Sequence, residues 1–144
     1  MAAELIAKLF HARTAAHMAH LQTLSFAQHK ALDDFYNGIV ELADSFAETY
    51  QGIFGLIGPY PEMGLPTGRP MDWINNLREW MKQNRQACCQ GETPLENIHD
   101  EIQGLCASTV YKLKFLDNPA MHESAAEEAM EHGVPSKYAK MTKW

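Results

Sequence analysis

HMAHLQTLSFAQHKALDDFYNGIVELADSFAE, residues 17–48, is the stretch whose reading decides the fold. It holds His17, His29, Asp33, Asp44 and Glu48 in the pattern H-x11-H-x3-D-x10-D-x3-E. Imidazole nitrogens and carboxylate oxygens of this kind ligate transition metals. On a helix turning about 100° per residue, His29, Asp33, Asp44 and Glu48 fall on one stripe about 100° wide. Ala31, Leu32, Phe35, Ile39, Leu42 and Phe46 supply apolar surface beside it. A polar stripe thus interrupts a face that could have been core.

The spacing also limits how the stripe can work. The His29/Asp33 pair and the Asp44/Glu48 pair are centred about 15 residues apart, roughly 22 Å along a helix axis. A ligand must come within about 2.0–2.2 Å of its metal, so one copy of the helix cannot close a site. A second copy, packed antiparallel about a two-fold axis near residues 38 and 39, would bring His29 and Asp33 of one chain opposite Asp44 and Glu48 of the other. Two equivalent sites would then form per dimer. Gly38 lies at that crossing, where glycine costs about 1 kcal/mol relative to alanine within a helix; a close helix approach or neutral drift would equally account for it.

These residues and their intervals resemble the Dps-type mini-ferritins, part of the ferritin-like superfamily, whose ferroxidase ligands follow this histidine and carboxylate spacing across a dimer interface. The likeness covers roughly residues 5 to 56 well, and the remainder in helical layout alone. The first ligand stays open between two histidines: His17 fits by spacing and His20 by context, one turn apart on one helical face. His11 is a third, weaker candidate.

Composition sets the frame. With 144 residues and 46% hydrophobic content, the chain is long enough for a sizeable core. No run approaches the 18 or more apolar residues of a membrane span. The start MAAELIAKLF lacks a signal-peptide pattern. Three cysteines, with Cys88 and Cys89 adjacent, make no disulfide framework, so a reducing, cytoplasmic setting is expected. Cys106, on an apolar helical face, reads as a small buried hydrophobe.

The expected fold is all-α, a ferritin-like four-helix bundle over residues 1–118 followed by a C-terminal extension over 119–144. A first helix runs from about Ala2 to Gln22, and a second, opened by Ser25 with Gln28 as a capping box, continues to about Phe54. Residues 55–70, with four prolines and four glycines, form a long crossover between the second and third helices. The third helix spans about Met71 to Cys89, with Trp73, Leu77, Trp80 and Met81 on one side. The fourth opens at Thr93-Pro94-Leu95-Glu96, with a cap, a proline at the first position and a reciprocal glutamate, and ends near Asn118-Pro119.

Glu96-x-x-His99 is the motif that builds single-bundle di-iron sites in larger ferritin-like proteins. Those proteins use two such motifs and two further glutamates, whereas this chain has one, so it is set aside. In the extension, AMHESAAEEAMEHG reads as a short acidic helix, and SKYAKMTKW places three lysines among aromatics. Docking of Tyr138, Met141 and Trp144 on a neighbouring subunit is favoured over DNA contact, given the net charge of −6 and the absence of a lysine-rich N-terminal arm.

The resemblance implies a function. The protein would bind ferrous iron at a di-iron site shared by two subunits, oxidise it with peroxide in preference to oxygen, and store ferric iron in a homo-oligomeric, dodecameric cage. His17 or His20, with His29, would anchor iron. Asp33 and Glu48 would bridge or chelate, and Asp44 would position the second ion or a water. Zinc would take the same ligands and block oxidation. The alternative is a ferritin-like structural or assembly protein, of a kind found among bacteriophage proteins, that holds no redox-active iron.

Overall fold

Helix α1 (Ala2–Gln22) is rich in alanine and leucine, strong helix formers, and Leu5, Leu9, Ala12, Ala16 and His20 recur at helical spacing on its buried face. Three residues turn the chain. Ser25 then caps α2 (Phe26–Phe54), its Oγ accepting the Gln28 N–H at 3.1 Å. The reciprocal half of the expected capping box is absent. The Ser25 N–H donates instead to Thr23 Oγ1 at 3.1 Å, which frees the Gln28 side chain to be buried. The computed structural model describes residues 1–117, all helical or connecting. The expected extension over 119–144 and the expected end at Asn118-Pro119 lie outside the described residues.

Pro70 opens α3 (Pro70–Cys89), where its missing N–H is no loss. Gln90 and Gly91, at φ 53° and 79°, turn the chain into α4 (Thr93–Tyr111), which continues as a π-helical turn over Lys112–Leu116. The start of α4 differs from expectation. Glu92 occupies the cap position, Thr93 is already helical, and no side chain caps the helix. Glu96 does not reach back, because Arg85 of α3 lies 3.6 Å away and offers a full positive charge. Arg85 also grips Asp100 through two bonds of 2.7 and 2.8 Å, which holds the Asp100 carboxyl below the usual range.

The four helices form a bundle with no strand among the described residues. Helix α1 packs on α2 and α3, and α4 packs on α2 and α3. The core between them holds Leu5, Ile6, Leu9, Leu32, Phe35, Ile39, Phe46, Ile74, Met81, Leu95 and Ile102, all fully enclosed. Neighbouring ends fix the directions. Cys88, at the end of α3, sits 3.9 Å from the Met1 carbonyl. Lys112, past the end of α4, pairs with Asp34 near the start of α2 at 3.6 Å, and Ser25 Oγ donates to Asp117. Residues 61–67 run beside α1 and α3, lining an open cleft of about 720 Å³ with Lys8, Trp73 and Trp80. No helix described here is long and apolar enough to cross a membrane.

Gly38 corrects the expectation that a symmetry mate explains it. A Cβ at this position would meet Leu105 Cδ2 of α4 at 3.1 Å, so the close approach is between α2 and α4 of one chain. Gly38→Leu should therefore overpack that contact and destabilise the fold by about 1–3 kcal/mol, read as a lower urea midpoint whatever the oligomeric state.

All three cysteines are buried and free. Burial pushes the Cys88 thiol up to about 11 and those of Cys89 and Cys106 up to about 12. His99 is fully enclosed and contacts Gln103 at 3.1 Å through Nδ1. Burial pushes its pKa below the ordinary value. The unfolded chain takes up that proton near about pH 6.5, while the folded chain resists it, so stability falls as pH drops below that point. His99→Leu should remove this slope. Wild type should lose urea resistance more steeply than the variant between about pH 6.5 and 5; parallel curves would refute a neutral, buried His99.

Candidate metal centre

The turn between α1 and α2 brings His20 and His29 face to face. Their rings stack with centroids 3.6 Å apart at 20°. His20 Nδ1 lies 2.7 Å from the His29 carbonyl, and His29 Nδ1 lies 2.9 Å from the His20 carbonyl. A carbonyl only accepts, so both Nδ1 atoms must donate. Each neutral ring is left with its lone pair on Nε2, the arrangement in which a ligating histidine is held by its other nitrogen.

His17, one turn before His20, joins the cluster. Its ring stacks on Tyr36 at 4.2 Å and 18° and lies 6.0 Å from the His20 ring. Tyr36 meets His20 edge to face at 5.3 Å. The Tyr36 hydroxyl donates to Asp33 Oδ1 at 2.7 Å, and this bond lowers the Asp33 pKa and raises that of Tyr36. His17, His20, His29 and Asp33 thus gather around the start of α2, so both histidines weighed for the first ligand belong to one cluster. His20 is buried, while His17, His29 and Asp33 are half-buried. His11 stands apart: its Nδ1 donates to the Ala7 carbonyl at 2.6 Å.

Asp44 and Glu48 do not join. They are exposed on α2, about 16 and 22 Å along the axis from Asp33. Among the described residues of a single chain, no three His, Cys, Asp or Glu side chains converge closely enough to hold an ion. The set-aside pair, Glu96 and His99, faces Arg85 and Gln103 respectively. Tyr36 and Asn37 are the residues that sequence reasoning missed. Their signal was slight: i+3 and i+4 from Asp33, on the same helical face.

Residues 20–113 match the family of unknown function DUF5856. The chain belongs to that family. The DUF5856 match begins at His20 and takes in His29, Asp33, Tyr36, Asp44 and Glu48. A relative is the uncharacterised 14.6 kDa protein of the mobD-ri intergenic region of Enterobacteria phage T4, 28% identical over 110 residues that cover 76% of this chain and 85% of the relative. No solved structure matches.

The clasp carries weight in the fold. His20→Ala removes the part-buried bond to the His29 carbonyl and unstacks the ring pair, and should destabilise by about 1–3 kcal/mol. His17→Ala, which removes only ring contacts of a half-buried side chain with Tyr36 and His20 and no hydrogen bond to the backbone of α2, should lower the urea midpoint by less.

Proposed function

We propose that the protein is a ferritin-like iron-oxidising protein of the Dps type, with its site completed by a second copy of the chain. The observation that carries this reading is the division of α2. Its first third holds His29 and Asp33 beside His17 and His20, and its second half presents Asp44 and Glu48 to solvent on the same stripe. A two-fold mate laid antiparallel along α2 would bring the two halves together. The donor set suits ferrous iron: neutral imidazole and carboxylate oxygen, with coordination positions left open for an oxidant.

The helix directions support a ferritin-like bundle. With α1 antiparallel to α2 and α3, and α2 antiparallel to α4, helices α2 and α3 run parallel. The link over 55–69 must then travel the length of the bundle, as a ferritin-like crossover does. Iron is substrate here. Two ferrous ions each give one electron to a hydrogen peroxide; its O–O bond breaks and two hydroxides leave, with no hydroxyl radical released. Ferric product would collect within a closed homo-oligomer, a dodecameric cage by the resemblance. Zinc on the same ligands would inhibit, since it gives no electron.

A second reading, an assembly protein without redox-active iron, draws on Leu21, Leu24 and Phe26. They are 71, 47 and 78% exposed at and beside the turn between α1 and α2, apolar surface that a partner would cover. The relative is a phage protein, in keeping with a phage-associated role.

The Asp44→Ala/Glu48→Ala variant separates the two. It should keep its helical circular dichroism and native mass while ferrous oxidation by peroxide falls to the rate of buffer. Full oxidation by the variant would sink the site, and a wild type indifferent to iron would leave the assembly reading.

A further inference from the structure

Asp33 is constrained more tightly than a surface carboxylate needs to be. The Tyr36 hydroxyl donates to its Oδ1 at 2.7 Å, and Asn37 Nδ2 donates to the same oxygen at 3.3 Å. A carboxylate oxygen offers about two lone-pair sites, and two donors fill them. Both donors come from the next turn of α2, so their spacing is set by the backbone. Tyr36 is itself fixed: it is 9% exposed, stacked on His17 and met edge-on by His20. One phenol therefore touches Asp33, His17 and His20 at once.

We infer that Tyr36, seconded by Asn37, is a positioning residue that reserves Oδ1 of Asp33 and presents the carboxylate to a metal ion through Oδ2 alone. The inference rests on the metal-site reading above. Its consequence is chemical. A one-oxygen aspartate keeps the coordination number low, leaving a position for the oxidant, and sets the site against cations that favour chelation by both carboxylate oxygens, such as calcium. Partners of this kind, one bond removed from the metal, typically contribute about 10–100-fold in affinity.

The test uses the full-length protein and cobalt(II), whose visible absorption reports coordination number without turnover. Wild type should bind cobalt with the intense bands of a four- or five-coordinate ion. Tyr36→Phe keeps the ring and its stacking but loses the hydroxyl. Oδ1 then becomes free to chelate, so the bands should weaken toward those of a six-coordinate ion, with affinity falling by about 10-fold or more. Asn37→Ala, an exposed change safe for the fold, should shift the spectrum the same way to a smaller extent. A Tyr36→Phe protein that binds cobalt with the wild-type spectrum overturns the inference and leaves the metal site standing. A wild type that binds no cobalt takes down the metal-site reading and this inference with it.

Discussion

The reciprocal bond between His20 and His29 governs the arrangement at the mouth of the bundle. Each ring reaches across a three-residue turn to the other's carbonyl, near the last turn of one helix and in the first turn of the next. The end of a helix leaves carbonyls without intrahelical partners, and here a side chain from the facing helix meets one of them. The clasp sets how α1 and α2 face each other, and so where His17 lies against Tyr36 and where Tyr36 lies against Asp33. A change in that turn would displace the whole cluster at once.

Helix α2 satisfies two demands through its periodicity. Leu32, Phe35, Ile39, Ala43 and Phe46 are buried at spacings that keep them on the core face, while Asp44 and Glu48 look outward. A helix of 29 residues is long enough to hold one polar group at each end of a stripe and a continuous core behind it. That geometry serves the proposed pairing of two copies, since neither half of the stripe can meet the other within a chain.

Much of this was legible in the residues. Apolar spacing and breakers placed α1, α2, α3 and the start of α4 to within a residue or two, and Ser25 announced the start of α2 because a cap is a local device. Features decided by partners far along the chain were not legible. Gly38 invited a symmetry mate as its explanation, yet Leu105, distant in sequence, fills the space beside it. Glu96 had the spacing of a reciprocal cap, but an arginine on another helix outcompeted a backbone amide. Tyr36 had no role in the reading of the sequence, and only the packing of α1 across α2 makes it the hub of the histidine cluster.

The buried cysteines bear on how the chain would fare beside an oxidant. Thiolate is the form that peroxide attacks, and groups pushed up to about 11 and 12 are almost wholly protonated at neutral pH. The thiolate share is on the order of one part in ten thousand or less. Enclosure within the core removes access as well. Thiol chemistry is thereby silenced at Cys88, Cys89 and Cys106, so in the proposed reaction peroxide would find iron, and not protein thiols, as the ready source of electrons.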